Sequence, residues 1–321
     1  MDALLIMLRN VILFVALALP GFLLVKSGHL KQEQSGALSK LLMYVGMPFL
    51  ILASAVNNLS FTRELLITVI VVALAGVAYT LVMFFVSLPL TGAEKEAKTR
   101  GMLRFCAVFS NNGFLGIPLA VAVFGAASRV LTVLIILNII TNVLMYTLGI
   151  YLVSGDKSRI SLKKAFLNPV LIAFLIGMVL NLLNVKAYVP EISTYATHFS
   201  NLVTPISMTI LGMKLGAVKI TALFASWKTY YVAALKLIVF PLLIVAVLLA
   251  ARAIFPHGVV NADMILGFFI AFAMPTAGLA STFADGFGGD TKSAVAFTLG
   301  TTLLSIITLP VLYWLLCLCL N

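Results

Sequence analysis

Two short stretches place amides, hydroxyls and helix breakers in strongly apolar surroundings. The first, FSNNGFLGIPLA at residues 109–120, holds Asn111, Asn112, Gly113, Gly116 and Pro118. The second, FFIAFAMPTAGLASTFADGFGG, holds Pro275, Thr276 and Gly278. Proline removes a backbone donor and clashes with the preceding turn, while glycine lets the chain unwind. Each stretch is therefore expected to be two half-helices joined by exposed backbone. In hydrocarbon, such backbone survives only when it is buried in protein or lines a wet cavity. Half-helix N-termini offer free N–H groups and partial positive charge, which suits anions. Asn111, Asn112 and Thr276 would add neutral donors. For either stretch alone, the plain alternative is a proline kink whose amides only join helices.

Further polar groups fall at helical spacing. Asn138, Thr141, Asn142 and Met145 lie at i, i+3, i+4 and i+7, as do Thr298, Thr301, Thr302 and Ser305. Each set shares one helix face, and both faces are expected to turn inward. Lys236, in VAALKLIVFPLL, reads as the single basic residue well inside an apolar run. A charge there is costly and points to function, unless the side chain snorkels to an interface. It would either attract an anion or stand where a cation would otherwise bind. Asp290, before TKSAV, reads as an N-cap. Gly212 and Gly216 have close-packing spacing, suited to a helix contact or a dimer.

The elements that must position these residues follow from composition. The 321 residues are 62% hydrophobic and 10% charged, with a mean hydropathy of +1.16. A soluble domain of this size cannot hide so much apolar side chain. Ten spans of about 17–28 residues are expected, an all-α polytopic membrane protein. No cleavable signal peptide is expected. Three cysteines show neither a disulfide framework nor a zinc pattern.

The net charge of +11 suits loops at a membrane better than nucleic acid. One alternating set of loops carries fifteen Lys and Arg, including Lys157, Arg159, Lys163, Lys164, Lys214 and Lys219, against five in the other set. That bias places both termini outside and the mid-chain loop in the cytoplasm. Five spans on either side of a cytoplasmic loop enter the membrane in opposite senses, the arithmetic of an inverted repeat. Pro48 and Pro205, and again Pro118 and Pro275, stand 157 residues apart. The expected division is a first repeat over 1–153, a linker over 154–165 and a second repeat over 166–321. Paired interruptions in corresponding spans mark a transporter site near the midplane.

No span centre holds an Asp or Glu, and no P-loop, HExxH or GxSxG occurs in a plausible setting, so no enzyme is expected. No metal site and no cofactor are expected either.

With SNNGFLGIPLA, LKLIVFPLL, MPTAGLASTFADGFGGD and MPFLILAS in hand, the chain resembles the auxin efflux carrier family. That family includes the plant PIN carriers and bacterial malate or malonate permeases. The resemblance implies the fold of the bile-acid/sodium symporters, with spans four and nine crossing. It implies a scaffold of spans one, two, six and seven, forming a homodimer through spans two and seven, and a moving core made of the rest. It also implies transport of an organic anion in a cell inner membrane, with Asn112, Pro118 and Pro275 at the site. The plant carriers have a long central loop and an Asn beside the span-nine proline. Here the loop is short and Met274 and Thr276 flank Pro275, which favours a small carboxylate over auxin. The alternatives are a sodium-coupled symporter and a sensor that binds its ligand without moving it. The expected binding set is Asn111, Asn112, Gly113, Pro118, Asn138, Asn142, Lys236, Pro275 and Thr276.

Overall fold

Apolar runs with few breakers fold here as long helices whose outer faces stay apolar. The computed structural model describes residues 2–58, 62–160, 163, 167–254 and 260–320. Lys164 and part of the linker at 154–165 lie outside the described residues. Among the described residues, six helices are long and apolar enough to cross a membrane: α1 (Asp2–Lys26), α2 (Gln32–Asn57), α3 (Arg63–Leu90), α6 (Arg129–Ser154), α10 (Trp227–Ile254) and α13 (Thr291–Leu320). Between them come α4 (Ala97–Val108), α5 (Asn112–Phe124), α7 (Pro169–Leu182), α8 (Glu191–Ser200), α9 (Val203–Gly216), α11 (Ala262–Ala273) and α12 (Ala280–Phe287). There is no strand among the described residues.

Several elements are shorter than the sequence suggests. α7 and α9 have 14 residues each, about 21 Å at 1.5 Å per residue. A hydrocarbon core is about 30 Å thick. Both interrupted stretches are split, α4 from α5 and α11 from α12.

The helices sort by packing. α1 lies along α9, and the C-terminal half of α2 lies against α7 and α8. α6 packs on α3 and α11, while α13 packs on α10, α12 and α1. Large apolar side chains stand exposed along α1 (Leu23), α3 (Leu74, Phe85), α7 (Leu182) and α13 (Ile307). Such continuous apolar surface is what lipid covers.

Gly212 shows how the first group closes. A Cβ there would lie 1.9 Å from the Ala18 carbonyl oxygen, and one on Gly216 would lie 2.8 Å from that of Phe22. These glycines are therefore filled by α1 of the same chain. Of the two readings of their spacing, this is the helix contact, with the close approach they permit used by α1 within one subunit.

Four wide π turns interrupt the helices, at Leu42–Gly46, Asn112–Gly116, Met145–Gly149 and Leu235–Val239. π bulges collect at functional sites because they re-aim side chains. Here three of the four carry residues that line one cavity.

Candidate functional site: the crossing of two broken helices

The two breaks meet. Asn111 N–H donates to the Pro275 carbonyl at 2.7 Å, and Ala277 N–H donates to the Phe109 carbonyl at 2.9 Å. Ser110 and Thr276 thus face each other as a single antiparallel bridge. Extended backbone inside a helical protein leaves orphan groups that need partners. At the end of α4, the Cys106 carbonyl accepts from the Thr276 hydroxyl at 2.9 Å, and the Val108 carbonyl from Lys236 at 3.4 Å. Thr276 N–H donates to Thr301 Oγ1 at 3.1 Å, which brings the α13 polar face to the crossing.

Lys236 lies on the π turn of α10 and is fully buried. Its Nζ stands 2.5 Å from Ser110 Oγ. No carboxylate pairs with it among the described residues. The ammonium sits instead at the C-terminal end of α4, where the helix dipole favours a cation.

A cavity of about 490 Å3 ends on this crossing. Its inner wall is Ser110, Asn111, Asn112 and Gly113, and α6 adds Asn138, Thr141, Asn142 and Met145. Across from these stand Met43, Tyr44 and Met47 of α2, with Asn168 at the start of α7 and Lys163 ahead of it. Among the described residues, the lining holds one basic side chain, Lys163, and no acidic one. The N–H groups of Asn112, Gly113 and Phe114 open the π turn of α5 and have no intrahelical acceptor, so they add donors at this wall.

The two asparagines differ. Asn112 Nδ2 donates to Thr141 Oγ1 at 2.8 Å, and its Oδ1 accepts from Asn138 Nδ2 at 2.9 Å. A side chain at Gly113 would break this network, because its Cβ would lie 2.9 Å from Asn138 Nδ2. Asn142 Nδ2 donates back to the Asn138 carbonyl at 2.8 Å. Asn111 is half-buried, and its side-chain amide takes no part in that network. The buried Asn138 Oδ1 has no hydrogen-bond partner among the described residues.

A family model described as membrane transport protein matches residues 5–160 and 156–313. The chain belongs to that family, the auxin efflux carrier family of the sequence resemblance. An uncharacterized transporter of Methanothermobacter thermautotrophicus is 27% identical over 315 residues, covering 94% of this chain and 96% of its own length.

In this membrane transport protein the residues singled out by sequence divide into two groups. Asn111, Asn112, Gly113, Asn138 and Asn142 line the large cavity. Pro275, Thr276 and Lys236 are not among its lining residues; they build and brace the crossing. Pro118 belongs to neither, and the break it suggested lies at 109–111 instead. It stands inside α5 just after the π turn, with helical backbone ahead of it at Gly116. The spacing of 157 therefore pairs a proline in the crossing with one in a helix.

Sequence reasoning also missed Lys214, which it counted as a loop charge. α9 runs on through Gly216, so the Lys214 side chain turns inward, and its Nζ donates to the Gly278 carbonyl at 3.0 Å. Tyr44, Met47, Phe114 and Tyr146 of the cavity wall look like ordinary span residues in the sequence, and nothing in their spacing marks them.

Proposed function

We propose that this protein is a secondary carrier for a small organic anion, working by alternating access around the crossing of α4–α5 with α11–α12. The observation that carries the reading is the large cavity itself. It ends on unwound backbone held by the Asn111–Pro275 and Ala277–Phe109 bonds, and its lining offers amide and N–H donors and, among the described residues, one lysine and no carboxylate. Such a lining suits a carboxylate and disfavours a bare cation.

In this reading the chain is two inverted five-span repeats, with α4–α5 as the fourth span and α11–α12 as the ninth. The two stretches matched by the family model meet at residues 156–160, inside the mid-chain loop, which supports that division. α1, α2, α7, α8 and α9 form the scaffold, and the remaining helices form the body that moves against it. The cavity lies between these groups, as a carrier that exposes its site by relative motion needs. It opens beside Lys163 and Asn168, toward the cytoplasm if the loop charges set the topology. Both termini are then extracytoplasmic, in an inner membrane. A small carboxylate such as malate or malonate is the substrate class proposed.

Counterflow in liposomes tests this. Vesicles holding purified protein and loaded with an unlabelled small mono- or dicarboxylate should accumulate the labelled compound transiently. A receptor that only binds gives no exchange. Binding of a carboxylate without counterflow across the panel would overturn the carrier reading.

A further inference from the structure

A second, much smaller cavity lies on the other face of Asn111. It measures about 50 Å3, and its polar lining includes Asn111, Ser207, Lys214, Thr282, Thr298 and Thr302. Asn111, Phe114, Gly278 and Leu279 also line the large cavity, so they form the wall between the two. Two independent observations mark this space as built for a ligand.

The first is charge. Lys214 Nζ donates one hydrogen bond, to the Gly278 carbonyl at 3.0 Å, and no carboxylate pairs with it among the described residues. An ammonium has three donors. The second is an orphan. Thr298 is 7% exposed, and its Oγ1 has no hydrogen-bond partner among the described residues. A helical threonine usually returns its hydroxyl to a carbonyl one turn back, as Thr302 does to the Thr298 carbonyl at 2.7 Å. A buried hydroxyl left unpaired is costly unless something in the adjacent space completes it.

We propose that this cavity is an anion subsite, taking one carboxylate group or one small free anion. Lys214 supplies the charge, and the Thr298 hydroxyl and the Asn111 amide donate beside it. The site stands apart from the carrier reading, since it requires binding and not movement. Its two sources are the carboxylate of a transported acid, passed from the large cavity across the Asn111–Phe114 wall, and an inorganic anion such as chloride.

The test uses purified full-length protein in detergent. Acetate and chloride are titrated separately, with the bulkier isethionate keeping ionic strength constant, and the melting temperature is followed. At least one of the two should stabilise the wild type saturably. Stabilisation by acetate alone identifies a carboxylate subsite, and stabilisation by chloride identifies a free-anion site. Lys214→Gln keeps a donor for the Gly278 carbonyl but removes the charge, and should weaken binding at least tenfold. Thr298→Val should weaken it several-fold without lowering the melting temperature in isethionate, because an unpaired hydroxyl is replaced by a methyl of similar shape. A purely structural role predicts no change in anion affinity for either variant, and Thr298→Val remains informative if Lys214→Gln does not fold. No saturable effect in the wild type, or unchanged affinity in both variants, overturns the subsite. Loss of counterflow with anion binding intact would count against the carrier reading alone.

Discussion

Lys236 Nζ lies 2.5 Å from Ser110 Oγ, and the same ammonium reaches the Val108 carbonyl at 3.4 Å. A residue of α10, far away in sequence, therefore braces the backbone just before the α4–α5 break. The positive charge faces the carbonyl end of α4, and Lys236 does not line the large cavity. Its contacts at the crossing are with Val108 and Ser110.

Lys236→Met keeps the apolar stem and deletes the charge. It leaves the Val108 carbonyl and the Ser110 hydroxyl oxygen without their donor, each a loss of about 1–3 kcal/mol when buried. The expected result is a lower melting temperature together with a large loss of counterflow at every pH, and sodium should not restore it. Wild-type transport and melting in this variant would show that the crossing holds without its brace.

The two neighbouring asparagines should separate by phenotype. Asn112→Ala removes the partner of both Asn138 and Thr141, so it should cost stability first, about 1–3 kcal/mol for the groups left buried and unpaired. Asn111→Ala breaks no side-chain bond of that network, so melting should change little while substrate affinity falls. Melting curves and ligand titrations on both variants decide this. An Asn112→Ala protein as stable as the wild type, with binding abolished, would return the direct role to Asn112.

What was legible in the sequence was local chemistry. Paired amides, glycines and a proline in an apolar run announce unwound backbone, and both breaks occur. The inward faces of α6 and α13 followed from spacing, and the buried Asn138, Thr141, Thr301 and Ser305 bear that out. Long-range placement was not legible. Pro118 and Pro275 share a residue type but not a position, because a proline can sit inside a helix beside a π turn as well as in a break. Lys214 lies near a helix end, and sequence alone cannot say whether such a side chain points back into the protein. The π turns leave no compositional trace, so the placement of Tyr44 and Tyr146 on the cavity wall could not be anticipated.

The packing of α1 on α9 gives a third test. A methyl group on Gly212 meets the Ala18 carbonyl oxygen at 1.9 Å, a backbone atom that cannot swing aside. Gly212→Ala should therefore lower the melting temperature, and Gly212→Leu should prevent accumulation of folded protein. An undisturbed fold in Gly212→Leu, with an altered native mass by size exclusion, would move these glycines back to a subunit interface.

The last prediction concerns acid. Asp290 lies between α12 and α13, and its Oδ1 accepts from Ser293 N–H at 3.0 Å, capping α13. Its Oδ2 accepts from the Thr99 hydroxyl at 2.7 Å, which ties the start of α13 to the start of α4. Partial burial pushes this carboxyl upward, but the bonds from Ser293 and Thr99 outweigh it and hold the group below its ordinary value. A carboxyl lowered on folding contributes stability above its unfolded value, about 3.9, and loses it as pH falls through the folded value. Asp290→Ala should cost about 1 kcal/mol at neutral pH through the lost cap. Asp290→Asn keeps a capping oxygen, so it should lose less, and what it loses is the charged part. The gap in melting temperature between wild type and Asp290→Asn should then be widest near neutral pH and close below about pH 3.9. A gap that stays constant across that range would mean that Asp290 acts only as a neutral cap, and that the acid sensitivity of the protein has another source.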